Sequence, residues 1–343
     1  MRTALSCILG LLIVTCVLAE DEAVKATMDL ERHIRPGNSD EPTTVTINSF
    51  LVDIIDIDDV EGTITMDFFF TQRWQDPRLA DDQYDDPRVK MDLTIEDIWH
   101  PHLVSIYQRD SQLKDALLNI DSAGNVTFRQ RGIHTFTAPL DLRQFPFDSQ
   151  VIDLVYVSSI YSDEELNLIL DRERSGHLGD FSLRGWSFRN FEASTISRPV
   201  ARPNEQAFKL AGLQFDIELK RKPAFYIWKV FFPLGLIAFM AWTVFWIDPA
   251  NFGGQVAIST SSVITLIAFQ LSLSELLPRI SYLTNIDIYA IGTSLLVFIA
   301  LGESILTARL AKIEKHALSL GIDRHMRWIY PLVYALLTLI VVI

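Results

Sequence analysis

The sequence has almost no sulfur chemistry to offer. Its 343 residues include two cysteines, Cys7 and Cys16, both inside the first 19 positions. If that segment is removed, no thiol remains, which excludes a disulfide-stapled scaffold and leaves core packing to hold the fold. Also missing are a sequence repeat, a metal-ligand cluster, a glycine-rich phosphate loop and a nucleophile elbow. Those absences remove the footing for an enzyme, a resident metal or a cofactor. Positive charge is scarce in one region in particular: of the formal net charge of -13, residues 20–222 carry about -15, because residues 1–19 and 223–343 are each +1. Such a field repels nucleic acid and concentrates cations, although plain solubility also favours acidic surfaces.

The chain does contain a great deal of apolar sequence, 49% of residues. Arg2 followed by an apolar run over 8–18 and Ala19 reads as a secretory signal spanning residues 1–19, with the mature chain starting near Glu20 or Asp21. A true membrane anchor, or a lipoprotein signal ending at Cys16, are the other readings. Four further apolar stretches, 225–246, 256–277, 286–308 and 328–343, predict four membrane-spanning helices over a transmembrane domain of 223–343. The fourth is short for a bilayer, so either residues 326–328 lean into the interface or the sequence given is cut short. Arg309, Lys312, Lys315, Arg324 and Arg327 lie between the third and fourth stretches and put that loop, about 18 residues long, in the cytoplasm. The N-terminal part is then extracellular or periplasmic, and the protein a multi-pass component of a plasma or cell inner membrane, with lipids as its neighbours.

Residues 20–222 follow a different period. Short alternating or β-branched runs at 43–47, 63–70, 151–157 and 214–219, punctuated by turn clusters such as 121–125, predict an all-β, immunoglobulin-like sandwich. Asn125-Val126-Thr127 is a glycosylation sequon that matters only in a glycosylating host.

Particular residues then carry a resemblance. Trp74-Gln75-Asp76-Pro77-Arg78-Leu79, Trp99-His100-Pro101 and Phe145-Pro146-Phe147-Asp148 occur in that order, followed by Arg221-Lys222-Pro223-Ala224-Phe225-Tyr226 entering the first span and Leu277-Pro278-Arg279 after the second. Together they resemble the pentameric ligand-gated ion channels, or Cys-loop receptors, over nearly the whole mature chain. The family's two signature cysteines would fall at Ala138 and Ile152, so this chain is similar to the bacterial branch that lacks the bridge. The resemblance implies a homopentamer around a central pore, with the sandwich over a four-helix bundle. It implies coupling roles for Phe145, Pro146, Phe147, Asp148, Arg221, Pro278 and Arg279.

By resemblance, the second span lines the pore with Ala257, Ser261, Ile264, Ala268, Leu271 and Glu275, whose spacing of four, three, four, three and four is one helical face. Five apolar rings at Ile264, Ala268 and Leu271 can close a pore by dewetting. Small and hydroxyl residues off this stripe also suit helix packing in lipid, so polarity alone does not separate the two. Gly253, Gly254 and Gln255 stand where anion channels carry Pro-Ala-Arg. Together with Glu275, Asp248 and the acidic outer domain, this favours permeant cations, an anion channel being the alternative.

The agonist box is implied at Tyr107, Ser159, Tyr161 and Phe208 on one face and Phe69 and Phe128 on the complementary face. Ser159 replaces the family's key tryptophan, which weakens binding of a quaternary amine. The agonist is either an unidentified small molecule or protons, with His100, His102, His134 and His177 titratable in the exported half. The rival to a channel is a non-conducting, membrane-tethered binding module.

Overall fold

The computed structural model describes residues 32–37, 41–80, 93–200, 208–274 and 280–342. The expected signal segment and Glu275, Pro278 and Arg279 lie outside them.

Among the described residues, ten strands build the outer domain as two facing sheets. The first contains β1 (Thr43–Asp58), β2 (Thr63–Gln75), β4 (Gln108–Ile120), β5 (Asn125–Thr137) and β7 (Leu166–Leu170) in the order β4-β5-β2-β1-β7, with β8 (Gly176–His177) also beside β1. The second contains β3 (Leu103–Ser105), β6 (Ser149–Ser162), β9 (Trp186–Val200) and β10 (Phe208–Arg221) in the order β3-β6-β10-β9. Pairing is antiparallel throughout except where β7 and β8 run parallel to β1.

Alternation explains which side chains meet in the middle. Ile64, Met66, Phe68 and Phe70 of β2 face Ile152, Leu154 and Tyr156 of β6 and Leu213, Phe215, Ile217 and Leu219 of β10, all buried in one cluster. Each such side chain contributes about 1.5–3 kcal/mol by leaving water. Trp74 and Trp99 are core residues as well, stacked edge to face with centroids 5.8 Å apart. Ala138 and Ile152, where the bridging cysteines would stand, are buried in the same cluster. The expected turn at 121–125 closes the β4–β5 hairpin. Asp121 Oδ1 accepts from Ala123 N at 3.0 Å and Asn125 N at 2.8 Å, and Gly124 takes φ +76° with its Cα against the Asp76 carbonyl, where no side chain fits.

Four helices long and apolar enough to cross a membrane follow among the described residues: Ala224–Trp246, Phe252–Ser274, Asn285–Lys312 and His316–Val342. Three of these extents differ from the sequence reading. The fourth helix is not a short segment over 328–343; it has 27 residues, about 40 Å of helix. The third and fourth helices are joined by residues 313–315 alone, so Arg309, Lys312, Arg324 and Arg327 sit on helix ends and not in an 18-residue loop. The reason is that hydropathy marks only the turns inside hydrocarbon, whereas the backbone ladder continues through polar turns at the interface. The second helix likewise starts at Phe252, before the apolar run at 256. Thr284 starts the third helix through a capping box, its Oγ1 accepting from Asp287 N at 3.2 Å while Asp287 Oδ2 accepts from Thr284 N at 2.9 Å.

Candidate functional site

The interior face of β10 runs Leu213, Phe215, Ile217, Leu219 and then Arg221. Period-2 alternation therefore drives a guanidinium to the same side as the core leucines. On β6 the buried residues Gln150, Ile152, Leu154 and Tyr156 share parity with Asp148 just before the strand. Because Lys220 pairs with Ser149 and Arg221 N donates to Asp148 O at 3.1 Å, the ladder sets the two charges opposite each other. Arg221 Nε donates to Asp148 Oδ1 at 2.7 Å and Nη2 to Oδ2 at 3.2 Å. A second carboxylate completes the clamp: Asp59, in the β1–β2 turn, accepts from Nη1 at 2.5 Å and from Nη2 at 2.9 Å. Trp186 and Phe145 cover the guanidinium at 4.0 Å and 4.6 Å from their ring centroids. Burial works against the Arg221 charge, but hydrogen bonds and attraction from Asp59 and Asp148 outweigh it and hold its protonation above the ordinary arginine value.

Asp59 and Gln150 escaped the sequence reading. Asp59 is one acid in an acidic turn; its neighbour Asp58 caps that turn, accepting from Val60 N and Glu61 N at 2.8 Å each. Nothing in composition tells the two apart. Gln150 fastens the loop arms together, donating to Asp141 O at 2.7 Å and Asp148 Oδ2 at 2.6 Å and accepting from Asp141 N at 3.1 Å.

The loop over 138–148 rests on the helix bundle. Phe145, with a cis bond to Pro146, is buried and meets Tyr226 edge to face at 4.6 Å. Phe147 meets Phe231, which in turn meets Tyr289 of the third helix at 4.5 Å. Leu142 N donates to Tyr282 Oη at 3.0 Å, and Asn285 N to Arg143 O at 3.1 Å. Arg143 lies over the Tyr282 ring at 5.1 Å. Of the expected coupling residues, Phe145, Pro146, Phe147, Asp148 and Arg221 thus belong to one joint; Pro278 and Arg279 are outside the described residues.

The second helix has two unlike faces. Gln255, Ser259, Ser262, Leu266 and Leu273 are buried against the bundle; Ser259 and Ser304 hydroxyls meet at 3.2 Å, and Gln255 Nε2 donates to Ile247 O at 3.1 Å. Ala257, Ser261, Ile264, Ala268 and Leu271 all lie on the open side, Ile264 and Leu271 at 63% and 68% exposure in the single subunit. That open stripe is one of several apolar faces exposed in the single subunit, beside Leu295 and Phe298 of the third helix and Leu332 and Leu336 of the fourth.

Both halves match one family. Residues 21–223 match the model of the neurotransmitter-gated ion-channel ligand binding domain, and residues 230–317 that of the neurotransmitter-gated ion-channel transmembrane region. The chain belongs to the neurotransmitter-gated ion-channel family. It is 27% identical over 307 residues to a proton-gated ion channel of Gloeobacter violaceus, covering 89% of this chain and 84% of that one. It is also 27% identical over 280 residues to the gamma-aminobutyric acid receptor subunit beta-4 of Gallus gallus, covering 79% of this chain but 56% of the receptor subunit. Pentameric ligand-gated channels of this family pass ions and are not enzymes, and the chain is a membrane protein with its ligand-binding domain outside.

Two residues of the expected agonist box lie in the sandwich core: Trp99 Nε1 donates to Tyr161 Oη at 2.8 Å, and Phe128 is buried on the interior face of β5. Phe128 follows the inward parity of β5, whereas Tyr161 departs from the inward parity of Gln150 to Tyr156 and is turned inward by the register shift of β6 against β10 between Val157 and Ser162. Ser159 is exposed, with its N and Oγ donating to His102 O at 3.0 and 3.3 Å. Tyr107 is half-buried and accepts through its carbonyl from Thr137 N at 2.8 Å; Phe69 is half-buried under Arg131 at 5.1 Å; Phe208 opens β10 opposite Val200. His102, at φ +50°, packs on His100 with centroids 3.8 Å apart. Burial, helped by repulsion from His100 and His33, pushes its protonation down to about 4. Burial lowers His100 and His134 as well.

Proposed function

We propose that five copies of this chain enclose a cation-selective pore, gated by an extracellular small molecule or by protons. The observation that carries the reading is the second helix, which buries one face in its own subunit and leaves Ala257, Ser261, Ile264, Ala268 and Leu271 as a continuous free stripe. Turned to a common axis, five such stripes make a hydroxyl ring at Ser261 below apolar rings at Ile264, Ala268 and Leu271. Glu275 extends the stripe outward in sequence. The cation sign rests on charge. No residue from Phe252 to Ser274 is ionisable, Gly253 and Gly254 open the inner end, and the outer domain is strongly acidic. Coupling from sandwich to pore runs through Asp148, Arg221 and the loop over 138–148, with Pro278 and Arg279 as its partners beyond the second helix.

The test is current through the purified protein in planar bilayers under a salt gradient. A reversal potential near the cation equilibrium value supports the proposal; one near the anion value replaces the selectivity and keeps the pore. Ile264→Thr should raise the resting leak, because a hydroxyl ring wets the constriction. If polar substitutions at Ile264 and Leu271 change nothing, the stripe faces lipid and the chain is a tethered binding module.

A further inference from the structure

Glu303 of the third helix and Asp323 of the fourth face each other in the cytoplasmic half of the bundle. Asp323 is completely buried and Glu303 nine-tenths buried, and none of their four carboxylate oxygens accepts a hydrogen bond. Asp323 lies seven residues into its helix, about 10 Å above the start, and Glu303 nine residues before the end of its own, about 14 Å above that end. Glu303 therefore stands within the apolar run of its helix and Asp323 in the polar turns just before the apolar run of its own, at the cytoplasmic edge of the hydrocarbon.

Neighbouring hydroxyls are committed elsewhere. Ser304 Oγ donates to Ala300 O at 2.8 Å, Thr307 Oγ1 to Glu303 O at 3.1 Å, and Ser319 Oγ to Thr307 O at 2.9 Å. The charged groups around the pair are few. Arg327 stands one turn along the fourth helix, but its Nε donates to Phe245 O at 2.8 Å and its guanidinium covers Trp246 at 4.7 Å. Asp248, before the second helix, adds negative charge and not relief. Phe252–Ser274 contributes no ionisable residue, and Ala224–Trp246 only Tyr226 and Lys229 near its outer end.

Two bare carboxylates in contact, stripped of water and unbonded, would cost several kcal/mol each. A hard metal ion would require six or more oxygens, and no third acidic or histidine ligand joins them among the described residues. A single proton resolves the arrangement, since it turns one carboxyl into an O–H donor and leaves the other as its acceptor. We propose that Glu303 and Asp323 form a buried proton-binding site in the helix bundle, with one proton shared between the two carboxyl groups tying the fourth helix to the third. Its release into an alkaline cytoplasm leaves like charges face to face and loosens the outermost helix of the subunit.

The test is infrared difference spectroscopy of the full-length protein in phosphatidylcholine–phosphatidylglycerol vesicles, neutral against alkaline pH. Glu303→Gln and Asp323→Asn keep the shape of the protonated pair, with the amide as donor, so both should fold. The expected result is a carboxylic-acid C=O band that wild type loses on alkalinisation and that both variants lack. Wild type should also melt at lower temperature in alkali, a shift absent from both variants. A neutral wild-type spectrum without the band, or a band that persists in both variants, overturns the proposal. No current is measured, so the outcome is independent of whether the pore conducts cations.

Discussion

Replacing Arg221 by glutamine should be among the most destabilising single changes in the outer domain. The guanidinium makes four charge-assisted hydrogen bonds, at 2.5, 2.7, 2.9 and 3.2 Å, to two carboxylates. Its side chain is 3% exposed and that of Asp148 2%, against 17% for Asp59. Removing the shared partner leaves two acids facing each other, one with no access to water, at a cost of about 3–5 kcal/mol. Asp148→Asn costs less, about 1–3 kcal/mol, because Arg221 keeps Asp59 and the new amide can still accept. Asp59→Asn costs least, since water reaches that carboxylate. For a domain of this size each kcal/mol is worth about 2–4 °C, so Arg221→Gln should lower the melting temperature of the detergent-solubilised protein by about 6–20 °C. The ranking is the sharper test. An Asp59→Asn loss equal to or larger than that of Arg221→Gln would mean that the clamp is not organised around the arginine, and an unchanged Arg221→Gln melt would remove it from the stability argument altogether.

Phe128→Ala should cost about 3–5 kcal/mol by opening a core cavity, whereas Phe69→Ala, on the half-buried face, should leave the unfolding midpoint nearly unchanged; equal losses would contradict their different burial. His102 stays neutral in the folded protein down to about 4, against an ordinary value of 6.5. Between those values the unfolded chain binds the extra proton, so stability falls as pH drops from about 6.5 to 4. His102→Gln should flatten that part of the pH–melting profile, and an unaltered slope would assign it to other groups.

Legibility from sequence tracked the range of the physics involved. Alternation of period 2 and long apolar runs are local, and they were enough for the sandwich and the four spans. The hairpin at 121–125 was readable because Asp121 and Gly124 act within their own turn. Helix ends were misjudged where polar turns such as 316–327 continue the backbone ladder beyond the apolar run. The burial of Phe128 and Tyr161 was not legible, because pointing in or out depends on strand register, fixed by partners far away in sequence. Arg221 and Asp148 were legible through the motifs around them; Asp59 was not, since its pairing spans 162 positions and only the β1–β2 turn brings it there. Glu303 and Asp323 likewise lie on different helices, and nothing local to either one marks the other as its partner.

The clamp also occupies a mechanically special place. β10 ends at Arg221 and the first helix begins at Ala224, so the arginine sits three residues before a pore-domain helix. Asp148 belongs to the loop resting on Phe231 and Tyr282, while Asp59 belongs to the opposite sheet. Three parts of the outer domain, the two sheets and the loop, are therefore held by one side chain. A rearrangement that shifts the sheets has to stretch either the Asp59 or the Asp148 contacts, and differential strain of that kind is what biases two states. Asp59→Asn weakens the arm least costly to folding, so it should change the activator concentration or pH needed for half-maximal current while single-channel conductance stays at the wild-type value. A changed conductance with unchanged activation would place Asp59 in the ion path and leave the joint without a gating role.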